Sequence, residues 1–306
     1  MIQIQVRDVP RNALLGGLAL FCAFCFSACG QGRIIKVTPE AANEAGVAYD
    51  AERGPQWQLA DSLWESRSTP RKAWAALVAY REAVDQQPDA AALQTRYARA
   101  CYFLATYTEQ NQAWSNPERS KGLYLEGARA AESALRLHPG YLQKLAQGSD
   151  EMEAIRAVDG QWLEPAFWLA ASRGRWALGE GRRTRMDGRD RLGSLVQDLA
   201  ARGGSVYHGG PDRFLGVMFL ATTTPKPDSA RVHFERAATI APLFFANFTL
   251  RAQYLAVYEK DSTGFRTLLE TVLSLPADAL PEVTAENTFE QARARDLLAR
   301  QAEFFP

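Results

Sequence analysis

A chain of 306 residues, of which 47% are hydrophobic, is long enough to form one large domain or two small ones around a substantial core. Its 35 basic and 35 acidic residues balance, so the composition gives no sign of a basic nucleic-acid-binding surface or of an acidic tail. We therefore expect no nucleic acid among its partners.

The first segment predicts a targeting signal rather than folded structure. Arg7 and Arg11 precede an apolar run at residues 13–26. This run of 14 residues is short for a membrane-spanning helix, which needs about 20 residues, and is typical of the core of a signal peptide. We predict a signal peptide at residues 1–28.

The apolar run ends in Phe26-Ser27-Ala28-Cys29, which resembles a bacterial lipoprotein box. In such a box the cysteine is acylated and becomes the first residue, so the resemblance implies a lipid on Cys29. Gly30 takes the place of the aspartate that retains lipoproteins at the inner membrane, so the resemblance also implies the periplasmic side of the outer membrane. Ordinary signal-peptidase cleavage and an uncleaved anchor are the alternatives.

The cysteines fit this interpretation. Cys22 and Cys25 lie inside the apolar run and leave with it, so only Cys29 and Cys101 remain. If Cys29 carries lipid, Cys101 has no partner for an intrachain disulfide. Cys101 has no nearby histidine or other base, and we interpret it as a small buried hydrophobic residue.

The rest of the chain is predicted to be all-α. Residues 29–54 show weak periodicity and predict a lipidated tether, whereas apolar residues recur at helical spacing through residues 55–306 and strand-like alternation is absent. Helices are expected from Trp57, from Pro70 and, after Pro88, through Leu93 and Tyr102. A loop at 111–122 is followed by predicted helices at 123–137, 141–158, 165–178, 192–199, 230–242, 243–258, 264–275 and 282–305, with a tight turn at 207–211.

Three of these helices repeat one spacing of small and aromatic residues. Ala230, Phe234 and Ala237 share a helical face, and Pro242 ends the helix. Pro276 follows Pro242 by 34 residues, which is the tetratricopeptide period. The pattern predicts antiparallel, tetratricopeptide-like helix pairs with degenerate repeats. The same offsets occur at Ala76, Tyr80, Ala83 and Pro88, and at Gly127, Ala131, Ala134 and Pro139.

The sequence carries no catalytic signature. It lacks a Walker motif, a Gly-x-Ser-x-Gly elbow and a His-Glu-x-x-His pair. His233 and Glu235 form a His-x-Glu without the cysteines of a zinc deaminase, and His208, in a glycine-rich turn, is predicted to cap a helix rather than meet a ligand. We predict that the protein is not an enzyme and uses no metal or cofactor.

Four stretches between about Trp162 and the end of the chain read PAFWLAASRGRWA, YHGGPDRFLGVMF, DSARVHFERAATIAP and ENTFEQARARDLLARQAEFF, in that order. In this order, after a lipoprotein box, they resemble the T-component (TatT) family of tripartite ATP-independent periplasmic (TRAP) transporters. The resemblance implies a periplasmic lipoprotein of cryptic tetratricopeptide repeats that associates with a substrate-binding protein of the transporter, with apolar small molecules among its cargo.

Stacked helix pairs can form a binding wall lined by aromatic rings. The candidate lining residues are Trp168, Trp176, Tyr207, Phe214, Phe248 and Tyr254, and the alternative is that most of them belong to the core.

A second predicted contact is electrostatic. Arg182, Arg183 and Arg185 lie in an arginine-rich connection that could meet an acidic partner or simply face solvent. The competing function is that of an envelope scaffold lipoprotein that binds other proteins without handling a ligand. Either function is compatible with a homo-oligomer, and the sequence does not decide whether one forms.

Overall fold

The computed structural model describes residues 49–110, 116–178 and 188–306, and every regular element in these ranges is a helix. The predicted all-α fold is thus confirmed. None of the helices in these three ranges is long and apolar enough to cross a membrane. The helices are α1 (Pro55–Glu65), α2 (Pro70–Gln86), α3 (Ala91–Gln110), α4 (Pro117–Leu135), α5 (Pro139–Ala146), α6 (Glu151–Ile155), α7 (Leu163–Leu178), α8 (Arg189–Gly203), α9 (Gly210–Leu220), α10 (Pro227–Ile240), α11 (Ala246–Leu250, continued by a π-helical stretch Arg251–Ala256 and a last turn Val257–Glu259), α12 (Ser262–Ser274), α13 (Thr284–Ala299) and α14 (Gln301–Phe304).

Proline and capping side chains set several helix starts. Helices α1, α2, α4, α5 and α10 each begin with a proline, whose missing N–H would have had no helical acceptor at that position. Asn116 Oδ1 accepts from the backbone N–H of Arg119 at 3.0 Å, and Asp261 Oδ1 accepts from that of Gly264 at 2.8 Å. His138 caps α5 in the same way, because its Nδ1 accepts from Tyr141 N at 3.2 Å.

Two predicted boundaries were wrong. The loop expected at 111–122 already contains the first turns of α4, because Asn116 and Pro117 start a helix there. The single helix expected at 141–158 is instead α5 and α6. Gly148 (φ +85°) ends the first, and Asp150 caps the second through Glu153 N at 2.8 Å.

The repeated small residues lie in buried contacts between helices. Ala230, Phe234 and Ala237 are fully buried, as are their counterparts in α2 and α4. A Cβ on Gly127 would lie 3.0 Å from Cys101 Cβ, so α4 fits against α3 only with a residue this small. Consecutive helices pack against each other through most of the array. The tetratricopeptide character of these pairs stays a prediction.

The last long helix also packs against the first ones. Phe289 of α13 stacks on Tyr107 of α3, with 4.8 Å between ring centroids, and meets Phe103 edge-on at 5.8 Å. An ion pair between Arg67, which follows α1, and Glu286 of α13 lies beside these rings. Residues distant in sequence therefore converge on α3, and the candidate site lies there.

Candidate functional site

The turn between α8 and α9 has an unusual backbone conformation. Tyr207, His208 and Gly209 have φ values of 43°, 57° and 77°, which are all left-handed. Such a conformation is free for glycine but unfavourable for tyrosine and histidine. Consecutive residues of this kind persist only where the surrounding structure holds them in place.

Two buried side chains hold this turn. Arg213 donates from Nη1 to the carbonyl of His208 at 3.1 Å and from Nη2 to that of Tyr207 at 3.3 Å. Asn247 Nδ2 donates to the same His208 carbonyl at 3.2 Å, while its Oδ1 accepts from Arg213 Nη1 at 2.7 Å. Because both side chains are buried, these hydrogen bonds strongly favour one conformation of the turn.

The two glycines after His208 allow the turn to lie against neighbouring helices. A Cβ on Gly209 would lie 2.9 Å from Ala237 Cα, and one on Gly210 would lie 2.6 Å from the ring of Phe167. Neither position has room for a larger residue. His208 does not cap α9 as predicted, because Gly209 occupies the N-cap position and no side chain caps this helix. The His208 ring stacks on Phe244 instead, with centroids 5.0 Å apart.

The turn presents its side chains to a small pocket of about 300 Å³. Its walls come from α3, from the 3₁₀ turn Gly160–Trp162, from the start of α7 and from the α8–α9 connection. This volume is at the lower end of small-molecule sites. The lining residues are Arg99, Gly160, Gln161, Glu164, Ser205, Val206, Tyr207 and His208.

Arg99 is the cation of this pocket. Its Nη2 donates to Glu286 Oε1 at 3.2 Å, and its guanidinium carbon lies over the rings of Trp64 (5.3 Å) and Tyr207 (5.2 Å). Its Nε–H is buried without a hydrogen-bond partner. The other oxygen of Glu286 accepts from Arg67 Nη2 at 2.6 Å, so one buried carboxylate serves two arginines.

Burial and nearby charges determine the protonation states of the Tyr207 and His208 side chains. Burial, followed by Arg99 and Arg213, lowers the pKa of His208 below its ordinary value of 6.5. Burial and then Glu286 raise the pKa of Tyr207. Both side chains are therefore neutral near pH 7 and can act as hydrogen-bonding groups.

The structure brings two of the six predicted lining residues together. Trp168 and Tyr207 are in ring contact, with centroids 4.5 Å apart, but Trp168 is completely buried and supports Tyr207 from behind. The other four are partly buried in separate packing environments and do not line this pocket: Trp176 and Phe214 pack against the main core, Phe248 against the cluster around Phe265, and Tyr254 against the cluster around Phe234.

Other predicted sites lie outside the described residues. These are the lipidation site Cys29 and the arginines Arg182, Arg183 and Arg185. His233 and Glu235 do not converge: His233 Nδ1 is 2.7 Å from Asp212 Oδ1, whereas Glu235 pairs with Arg251 at 3.1 Å. In the described ranges, no group of three or more His, Cys, Asp or Glu side chains is placed to hold a metal ion.

Sequence reasoning missed Arg99, Arg213 and Asn247. Arg213 lies close to the recognisable Gly-Gly-Pro turn, but nothing in the sequence shows that its side chain folds back onto that turn. Asn247 is 34 residues further along and Arg99 belongs to α3. Their roles arise from long-range packing, which a local pattern does not encode.

The fold and the site together define an all-α helical-array protein with a small polar and aromatic pocket beside a strained turn. The chain belongs to the family described as TRAP transporter T-component (TAtT), because the family model matches residues 82–305, more than half of its length. The family predicted from the sequence is thus confirmed, and the matched region begins well before Trp162. None of the curated proteins compared matches the chain.

This membership has direct consequences for function. The family is one of transporter accessory components and is not an enzyme family. It associates the chain with the proteins of a TRAP transporter and implies a location in the cell envelope.

Proposed function

We propose that the chain is the accessory T-component that binds the periplasmic substrate-binding protein of a TRAP transporter and contacts an apolar small molecule that this protein carries. Its family membership over residues 82–305 is the observation that carries the proposal. The pocket beside Tyr207 supports the ligand-binding part. The backbone of Tyr207 and His208 is in an unfavourable conformation, and the same two residues line the pocket. Backbone strain of this kind is concentrated at ligand-binding and active sites.

A series of rings supports contact with an apolar molecule. Tyr102, Trp168, Tyr207 and Phe244 follow one another at centroid distances of 5.4, 4.5 and 5.3 Å. Tyr102 and Tyr207 are partly exposed, while the other two rings are buried behind them. In our proposal the cargo touches Tyr207 directly. Ligand contacts by Trp176, Phe214, Phe248 and Tyr254 stay predictions.

The proposed location is the periplasmic side of the outer membrane. A lipid on Cys29 would anchor the chain there, since several acyl chains at about 0.8 kcal/mol per buried methylene hold a protein firmly to a bilayer. Residues 29–54 would act as the tether between lipid and helices. Lipid on Cys29 is tested by mass spectrometry of the N-terminal peptide.

A scaffold without ligand transport is the second candidate, and the outer face of α10 supports the protein contact that it requires. Val232 and Ile240 are exposed there and flank Glu235 and Arg236 in a surface groove of about 440 Å³. Exposed apolar side chains beside charges are typical of protein contact surfaces. The same face would also suit the substrate-binding protein, so the identity of the partner decides between the two functions.

Cross-linking the full-length chain in intact envelopes, followed by purification and mass spectrometry, tests both candidates. Recovery of a solute-binding protein of a TRAP transporter supports the proposed function. Recovery of outer-membrane assembly proteins without it supports the scaffold. Native mass spectrometry of the same preparation reports whether the chain forms a homo-oligomer.

Charged substitutions then locate the contact. Val232→Asp combined with Ile240→Asp should abolish recovery of the partner if it uses the α10 face, whereas Leu59→Asp, at an equally exposed apolar position of α1, should not. Arg182→Glu, Arg183→Glu and Arg185→Glu together test the proposed acidic contact. Full recovery with both sets of changes would place the partner elsewhere on the chain.

A further inference from the structure

We propose that the turn at residues 207–209 links the outer face of α10 to the pocket. In this inference, a carboxylate of the substrate-binding protein engages Arg236, and the conformations of Tyr207 and His208 change in response. The inference rests on the proposed function and adds a regulatory connection between its two contact surfaces. The connection consists of an accessible cation, a buried carboxylate and the strained turn.

Arg236 is the group of α10 that a partner can engage. It lines the groove on the outer face, its side chain is 51% exposed, and its Nε lies 3.5 Å from Asp212 Oδ1. The other charged residue of the groove, Glu235, is paired more closely, at 3.1 Å from Arg251. The loosely paired charge of the groove is therefore positive, and an acidic group of the partner complements it.

The carboxylate of Asp212 connects Arg236 to the segment that holds the turn. Asp212 is fully buried in the first turn of α9; its Oδ1 lies 2.7 Å from His233 Nδ1, and its Oδ2 has no hydrogen-bond partner in the described part of the chain. A partner carboxylate at hydrogen-bonding distance would form the closer pair with Arg236 and weaken its contact with Asp212. Because a buried carboxylate depends on neighbouring cations, this loss favours a displacement of the first turn of α9. The next residue, Arg213, donates to two carbonyls of the strained turn, so the displacement reaches that backbone.

The backbone of α10 is also tied directly to the turn. Asn247 Nδ2 donates to the carbonyls of Ala237 at 2.9 Å and Ala241 at 3.0 Å, at the end of α10, and to that of His208 at 3.2 Å. A Cβ on Gly209 would lie 2.9 Å from Ala237 Cα, so the two backbones touch. Close-packed groups of this kind transmit a displacement, and a shift of α10 therefore moves the turn.

The turn can respond because its present conformation is unfavourable. Tyr207 and His208 have φ values of 43° and 57°, and the hydrogen bonds from Arg213 and Asn247 to their carbonyls keep them there. Weaker hydrogen bonds would favour their return to the right-handed region. Both side chains line the pocket, so this relaxation would change its shape.

NMR of the histidine rings in the full-length chain in detergent tests the link. The sequence has three histidines, so their ring Cε1–H signals can be assigned by single substitutions. The signal of His208 is sensitive to displacement because its ring stacks on Phe244. Arg236→Gln imitates the engaged state, since the ion pair with Asp212 is lost in both. We expect it to shift the signals of His233, which shares that carboxylate, and of His208.

Glu235→Gln is the matched control for Arg236→Gln. It also changes one charge in the groove, but the partner of Glu235 is Arg251 on α11, so the His208 signal should stay in place. An unchanged His208 signal in Arg236→Gln would overturn the link, whether or not His233 shifts. Equal shifts of His208 in both variants would overturn Asp212 as the route.

Asn247→Leu tests the second connection, because it keeps the approximate size of the side chain and removes its three hydrogen bonds to carbonyls. It should shift the His208 signal more than Arg236→Gln does, and no shift would overturn the turn as a held element. Thermal unfolding followed by circular dichroism verifies folding, and if Asn247→Leu does not fold, the comparison of Arg236→Gln with Glu235→Gln still decides.

The outcome is distinguishable from that of the proposed function. These spectra use the chain alone, so an unchanged His208 signal would overturn the link and leave the proposed partner and pocket in place. Failure to recover a substrate-binding protein from envelopes would overturn the proposed function without altering the spectra.

Discussion

Arg67 and Glu286 lie 219 residues apart in the sequence and form a buried ion pair, with 2.6 Å between Nη2 and Oε2. Their side chains are 5% and 0% exposed. Arg67 also donates to the carbonyl of Glu282 at 2.8 Å and lies over the ring of Trp64 at 4.1 Å. The pair therefore joins the segment after α1 to α13 through two side chains that are almost completely shielded from water.

Glu286→Gln should destabilise the protein by about 3–5 kcal/mol, because it leaves the positive charges of Arg67 and Arg99 without their buried counter-ion. The isosteric amide keeps the shape of the side chain, so the loss reports charge rather than packing. Chemical denaturation followed by circular dichroism measures the change in the free energy of unfolding.

An exposed pair provides the control for this prediction. Arg266 and Glu270 lie 3.7 Å apart on the surface of α12, and Glu270→Gln should change stability by less than about 0.5 kcal/mol. If both substitutions cost the same, the pair between Arg67 and Glu286 is not the stabilising contact that its burial implies.

What the sequence predicted correctly is local. Ala230, Phe234 and Ala237 were assigned to one buried face from their spacing, and they are fully buried because α-helix geometry alone puts them on that face. The turn predicted at 207–211 also rests on local residues, since glycines beside a proline favour a turn; its first part is a turn, whereas α9 already begins at Gly210.

What the sequence missed depends on distant parts of the chain. The left-handed backbone of Tyr207 and His208 requires Arg213 and Asn247, and the cation of the pocket requires Arg99 from α3. Aromatic residues at helical spacing suit both a core and a binding wall, and only their tertiary neighbours decide between the two. For this reason Trp168 proved to be buried while Tyr207 reached the pocket.

Gly216→Ala should destabilise the protein by about 1–3 kcal/mol through overpacking. The new Cβ would lie 2.9 Å from three atoms of the Phe234 ring, which is itself fully buried and has no room to move. Gly122→Ala is the matched control, because nothing lies within 4 Å of its Cβ on the exposed side of α4. That change should stabilise by about 0.5–1 kcal/mol, and a loss at both positions would contradict close packing at Gly216 as the cause.

The pH dependence of stability should include a contribution from His208. Its pKa is lowered in the folded state by burial and then by Arg99 and Arg213, whereas the unfolded chain takes up the proton near pH 6.5. This contribution is therefore complete well above pH 6.5 and is lost as the pH falls through 6.5 toward the lowered pKa of the folded state. Denaturation curves across this range should show a smaller decrease for His208→Asn, in which asparagine tolerates the left-handed backbone.

His138 must be separated from His208 in this measurement, because burial lowers its pKa as well. His138→Asn keeps a capping side chain at α5 and should remove its own part of the pH dependence. The combined variant should have the smallest slope of the three. A slope for His208→Asn equal to that of the wild type would show that His208 is not held neutral by its surroundings.

The thiol of Cys101 should be unreactive in the folded protein. It is completely buried between α3 and α4, so a reagent cannot reach it. Burial also raises the pKa of the thiol, so little of the reactive thiolate is present. A maleimide reagent, with the label located by peptide mass spectrometry, should modify Cys101 only after denaturation, whereas Ser62→Cys on the exposed face of α1 should react within the native state. If Cys29 carries lipid and the first 28 residues are removed, unfolding should expose a single reactive thiol in each wild-type chain. Native labelling of Cys101 at the rate of position 62 would contradict the tight contact between α3 and α4 at Gly127.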